Sequence, residues 1–139
     1  NSFCTLLATP TMGMLAAYGA FLGCTSVVSG AFGSHYLRSR LTDDRLRSWQ
    51  IAVQYQLLHG AVIFITGLLY DSQFRRNAAA SKAAGHLSRS LMLWSAGTTL
   101  FSGSIYLLCL GYKGILGPLT PLGGLVMIAG WASAMLAAL

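Results

Sequence analysis

Four long stretches of this sequence hold no Lys, Arg, Asp or Glu: residues 1–34, Ser48–Tyr70, Ser90–Tyr112 and Gly114–Leu139. Each exceeds the roughly 20 residues that carry a helix across about 30 Å of hydrocarbon at 1.5 Å per residue. Inside lipid every backbone N–H and C=O needs a partner within its own segment, so the stretches are predicted to be helices rather than strands. The expected spans are about 11–32, 49–70, 90–112 and 119–139. Charged residues make up 9% of the chain and apolar residues 55%, with a mean hydropathy of +0.62. An average soluble domain carries about a quarter charged residues. So few charges cannot cover a water-facing surface, which excludes a soluble enzyme. A disordered tail is excluded by the hydrophobicity. The connections between spans are short, so neighbouring helices run antiparallel. We expect an all-α membrane protein with one transmembrane domain over 1–139, an antiparallel four-transmembrane-helix bundle.

The connections carry the charge. Gly33–Arg47 holds His35, Arg38, Arg40, Asp43, Asp44, Arg45 and Arg47, with Asp43 or Asp44 placed to cap the next helix. Asp71–Arg89 holds Arg75, Arg76, Lys82, His86 and Arg89 around an alanine-rich centre expected to form a short interfacial helix. Gly111–Pro121 is a tight turn with Lys113, Pro118 and Pro121. The first and third connections together present Arg38, Arg40, Arg45, Arg47 and Lys113 on one side of the membrane, and the second presents Arg75, Arg76, Lys82 and Arg89 on the other. That near-balance sets no orientation by the positive-inside rule. The formal charge of +6 does not point to nucleic acid, because the cations lie between apolar runs rather than among aromatics on a soluble module. Anionic lipid head groups at these connections are the expected partners. Cys4, Cys24 and Cys109 form no CxxC pair, and a thiol inside an apolar run acts as a small hydrophobe. No metal and no cofactor is expected. The chain opens on Asn1 rather than Met, which fits a removed targeting segment or an upstream start.

Projection at about 100° per residue shows which faces are special. Gly19, Gly23, Ser26, Gly30 and Gly33 share a stripe on the first span. Ser95, Thr99, Ser102, Tyr106 and Cys109 do so on the third, with Gly103 beside them, and Gly123, Met127, Gly130 and Ala134 on the fourth. Small residues let helix backbones approach, and hydroxyls bond across the seam. These stripes are therefore expected to be packing faces, and Gly23→Leu or Gly103→Leu is expected to cost about 1–3 kcal/mol by overpacking.

The second span is unusual. Tyr55, Gln56, His59, Thr66 and Tyr70 fall on one face, and Trp49 is placed as an anchor at the membrane edge. His59 lies ten residues beyond Trp49, about 15 Å deeper. An ionisable group at that depth raises the question of a ligand, quinone or proton role. The ordinary alternative is a neutral imidazole that ties helices together, with Ser26 or Ser102 as its partner. We take the structural role, and treat Tyr55, Gln56 and His59 as a candidate buried polar site. No span holds a carboxylate relay, and no paired carboxylates, P-loop or Ser/His/Asp grouping occurs. No catalysis is expected.

Four segments in order carry a resemblance: Gly30–His35 (GAFGSH), Trp49–His59 (WQIAVQYQLLH), Phe101–Leu108 (FSGSIYLL) and Gly117–Gly124 (GPLTPLGG). Together they resemble the transmembrane protein 256 family, small four-span proteins of bacteria and mitochondria with a domain of unknown function. The likeness runs from about Gly19 to the C-terminus, except that the Asp71–Arg89 connection is longer and more basic than the family's usual turn. The resemblance implies a fold and a membrane but no reaction. It suggests a non-catalytic accessory subunit of a mitochondrial inner-membrane respiratory-chain complex, with other membrane subunits as partners. The alternatives are a stand-alone transport or ligand-binding protein using the His59 face, or a transient assembly factor.

Overall fold

The structure, a computed structural model, describes residues 12–74, 82–112 and 116–139. Helix α1 covers Met12–Phe32 and widens into a π-helical turn at Gly33–Leu37. Helices α2, α3 and α4 cover Asp43–Phe74, Lys82–Cys109 and Leu116–Ala138. All four are long and apolar enough to cross a membrane. The chain is an all-helical integral membrane protein with four transmembrane helices.

Two helices extend past the apolar spans. Helix α2 starts at Asp43, and α3 starts at Lys82 instead of near 90. Hydropathy marks the edge of the apolar run, whereas the backbone ladder continues past it into the charged residues. The Lys82–Arg89 stretch, expected in an interfacial connection, is thus the first part of α3. The alanine-rich centre around 75–81, Arg75, Arg76, Lys113, Cys4 and Asn1 lie outside the described residues. At the start of α2 the Thr42 carbonyl accepts the Leu46 N–H at 2.9 Å, so Thr42 rather than either aspartate marks the boundary. Asp43 and Asp44 occupy the first turn, where negative charge suits the positive end of the helix dipole. Helix α3 ends in a Schellman motif. The Tyr112 N–H bonds the Leu107 carbonyl, the Gly111 N–H bonds that of Leu108, and Gly111 takes the positive φ (98°) such a cap needs.

The π turn has a local cause. The buried Trp49 indole N–H donates to the Ser29 carbonyl at 2.9 Å, and the Ser34 hydroxyl to that of Gly30 at 2.9 Å. Side chains thereby bond two carbonyls in the turn that precedes the π segment. Gly33 makes room for the indole, since a Cβ there would meet Trp49 Nε1 at 2.6 Å. Trp49 was expected to anchor the membrane edge. It is instead a wedge between α1 and α2, because that hydrogen bond and the Gly33 recess draw it inward.

Two hairpins, α1–α2 and α3–α4, are the most closely packed pairs, and α2 against α3 joins them. Both hairpins use the same crossing. A Cβ on Gly19 would meet Gly60 O and Phe64 N at 2.7 and 2.5 Å, and one on Gly60 would meet Gly19 O and Gly23 N at 3.0 and 2.9 Å. In the second hairpin, a Cβ on Gly97 would meet Gly123 O and Met127 N at 3.0 and 2.8 Å, and one on Gly123 would meet Gly97 O and Phe101 N at 2.9 and 2.5 Å. Seven residues on, Gly67 faces Ala16, and Gly130 faces Trp94. Each hairpin is therefore closed by reciprocal glycine-to-carbonyl approaches, the geometry in which Cα–H groups meet carbonyl oxygens across helices.

The parallel pairs are held more loosely. Helices α1 and α3 meet through Tyr18 and Thr99, whose hydroxyls are 2.6 Å apart. Helices α2 and α4 meet through His59 and Trp131. The core around Leu15, Leu22, Ile63, Leu91 and Trp94 fills the space between the hairpins. Cysteines introduced at 38–41 and at 72 or 82 should be labelled from opposite faces of a sealed vesicle. Labelling of both from one face would break the antiparallel order.

Candidate functional site

The polar residues of α2 divide between two places. Gln56, 5% exposed, points to α1 and α3. Its Nε2 donates to the Leu22 carbonyl at 3.1 Å and to Thr25 Oγ1 at 2.7 Å, and its Oε1 accepts the Tyr106 hydroxyl at 2.8 Å. One amide thus links three helices. Below it, Ser102 donates to the Ala52 carbonyl at 2.9 Å. The Tyr106 ring packs on Trp49 at 4.5 Å, and the Cys109 thiol reaches the Arg45 carbonyl at 3.3 Å.

His59, 2% exposed, faces the other way. The Trp131 indole N–H donates to its Nε2 at 3.1 Å, and its Nδ1 lies 2.9 Å from the Tyr55 carbonyl. An indole N–H can only donate, so Nε2 is the acceptor and the ring proton sits on Nδ1, donated to Tyr55 O. The imidazole is neutral, with both nitrogens engaged. Ser26 and Ser102 are not its partners. Ser26 donates to Gly23 O within α1, and Ser102 is committed to Ala52. The fourth helix supplies the partner. Tyr55 is 44% exposed and acts through its ring, which stacks on His59 at 5.9 Å and lies 4.9 Å from Phe101.

The other stripe residues fall in three groups. Gly19, Gly33, Gly123 and Gly130 meet a neighbouring helix at a distance no Cβ could keep, and the Gly30 position meets the Val53 side chain at 3.4 Å. Ser95 and Thr99 donate to carbonyls one turn back, at 2.7 Å each, and Thr99 also meets Tyr18. Gly23 and Gly103 are the corrections. A Cβ at either has nothing within 4 Å, although the Gly23 backbone N itself faces Gly60. Gly60, Gly67 and Gly97 were not singled out from the sequence, although a Cβ at each would come within 2.9, 2.8 and 2.7 Å of a facing helix. Their signal was the seven-residue spacing of Gly60 and Gly67, repeated in Gly123 and Gly130.

A groove runs between α2 and α4 above α3. Its inner part, about 390 Å³, is lined by Tyr55, Leu58, His59, Phe101, Met127 and Trp131. Its outer part, a second cavity of about 610 Å³, adjoins the first at Phe101 and is lined by Ile51, Ile105, Pro121 and Arg45. Pro121, inside α4, has no N–H to return to the Gly117 carbonyl, and both residues line the outer part.

The protein family described as "Protein of unknown function (DUF423)" matches residues 29–124. The chain belongs to this family. It is the family that the four motifs resemble under the name transmembrane protein 256. The UPF0382 membrane protein SH2409 of Staphylococcus haemolyticus is 36% identical over 120 residues, 86% of this chain and 90% of the relative. YwdK of Bacillus subtilis, another UPF0382 membrane protein, is 35% identical over 86% of this chain and 91% of its own length. The UPF0382 membrane protein C1782.12c of Schizosaccharomyces pombe is 40% identical over 82% and 92%. No solved structure matches the chain.

The His59–Trp131 bond has a measurable expectation. His59→Leu leaves the Trp131 N–H without its acceptor, at about 1–3 kcal/mol, whereas His59→Gln keeps a side-chain carbonyl for it and most of the stability. Thermal unfolding of both variants in one detergent checks this, and equal losses would contradict it.

Proposed function

We propose that this family member is a non-catalytic membrane protein that holds the apolar chain of a bilayer lipid in the α2–α4 groove. The observation carrying this reading is the groove itself, an apolar trough floored by Phe101 and Ile105 that ends on the aromatic group of Tyr55, His59 and Trp131. Sites of this kind lie between helices of bundles, are mostly apolar and hold a few fixed polar groups. His59 there serves as a wall of set shape rather than as a ligand, since both ring nitrogens are already bonded.

Gly124 lines the inner part, and a Cβ there would meet only Phe101 Cδ2, at 3.9 Å. Gly124→Leu is therefore expected to fill the trough without disturbing a helix contact. Wild-type protein purified in mild detergent should retain lipid in native mass spectrometry, and Gly124→Leu should lose it at unchanged thermal stability. Equal retention by both would contradict the reading.

A second reading is an accessory subunit of a mitochondrial inner-membrane respiratory complex, with other membrane subunits packed against the chain. It rests on the family resemblance and on the basic, acid-poor composition. The bacterial relatives weigh against a role tied to that organelle, as the match covers about nine-tenths of their length. Stoichiometric migration with a respiratory complex on native gels would support this reading, and migration alone would count against it.

A further inference from the structure

The groove has an apolar interior and one charged wall. Among the described residues that line it, Arg45 is the single charged side chain, and it stands at the outer end with Ser48. Its guanidinium is exposed and forms no ion pair with any described residue. Its backbone carbonyl takes the Cys109 thiol, which ties this turn of α2 to the end of α3 and sets the mouth of the groove. From Arg45 to His59 is fourteen residues, about 21 Å along α2. One leaflet of hydrocarbon is about 15 Å deep, half of the roughly 30 Å core. With Arg45 in the head-group layer, about 6 Å outside the hydrocarbon, a chain one leaflet deep ends near the level of His59 and Trp131.

We infer that the groove selects a lipid with an anionic phosphate head group, seated on Arg45, with one acyl chain along Ile51, Phe101 and Ile105 toward the His59–Trp131 pair. This rests on the groove reading above and adds the head group, its anchor and the direction of the chain. Phosphate is the matching chemistry because a guanidinium fork bonds two phosphate oxygens at once. A net anionic head group is favoured over a zwitterionic one because the latter brings its own cation to the arginine. The mouth also opens on the side that carries Arg38, Arg40 and Arg47. Asp43 and Asp44 share that side, but neither lines the groove.

The test is native mass spectrometry of the full chain, released from mixed micelles of phosphatidylglycerol and phosphatidylcholine with identical acyl chains. Wild-type protein should retain phosphatidylglycerol over phosphatidylcholine by about tenfold or more, the scale of one charge-assisted hydrogen bond. Arg45→Gln should retain both lipids about equally, and Arg45→Lys should restore part of the preference. Arg89→Gln, which removes an exposed cation of α3 outside the groove, should leave the preference intact. Only the backbone of Arg45 is used in packing, so these variants should fold. A preference that survives Arg45→Gln overturns the head-group assignment and leaves the groove reading standing. Equal retention of the two lipids by wild-type protein does the same. Failure of wild-type protein to retain either lipid overturns both.

Discussion

Gly19→Leu is expected to destabilise the protein by about 3 kcal/mol or more, the upper end of overpacking costs. The obstacles to its Cβ are backbone atoms, Phe64 N at 2.5 Å and Gly60 O at 2.7 Å, and backbone cannot rotate aside as a side-chain tip can. Helix α1 would have to lift from α2 along its length, and Gln56 would lose its reach to Leu22 and Thr25. Gly97→Leu should do the same to the other hairpin, where Met127 N and Gly123 O lie at 2.8 and 3.0 Å. Gly23→Leu and Gly103→Leu are the controls and should leave stability almost unchanged, since a Cβ at either meets nothing within 4 Å. Thermal unfolding of the four variants in one detergent gives the comparison. Tolerance at Gly19 with loss at Gly23 would mean that α1 is rotated about its axis.

Gln56→Leu is the second large effect. The substitution removes three hydrogen bonds and leaves Tyr106 Oη without the acceptor it has at 2.8 Å. An unsatisfied buried partner costs about 1–3 kcal/mol, and the Leu22 carbonyl and Thr25 hydroxyl lose a donor in the same step. Tyr106→Phe should cost less, because it removes one bond rather than three and leaves only Gln56 Oε1 without its donor. The double variant Gln56→Leu with Tyr106→Phe should recover part of the loss. A fully additive double variant would show that the two side chains do not act as a pair.

Most of the architecture was legible in the sequence because lipid imposes one simple rule on the backbone. Charge-free stretches of sufficient length had to be helices, and their short connections had to order them antiparallel. The exact contact line was not legible from stripes alone. Gly19 and Gly23 differ by about 40° around a helix, yet a Cβ on the first would strike backbone and a Cβ on the second would meet nothing within 4 Å. Hydropathy also could not show that α2 and α3 begin in the charged connections, at Asp43 and Lys82. The depth of His59 predicted burial correctly, but its partner came from α4 rather than α1 or α3. Trp131 is half exposed and lies on the far side of the α4 stripe from Gly130, so projection of single helices gave no sign that it would meet His59. Trp49 was misplaced for a related reason, since its recess is built by Gly33, a residue of the preceding helix. The groove depends on the wide spacing of two parallel helices, a property of the assembled bundle that no single segment encodes.

The α2–α4 groove is proposed as a lipid site. Its most direct test is an experimental structure of the protein in a lipid nanodisc containing phosphatidylglycerol. The account predicts elongated density from Arg45, past Phe101, to the Trp131–His59 pair, with α2 and α4 as far apart as they are here. Direct packing of α2 against α4, or a helix of another protein filling the trough, would contradict it.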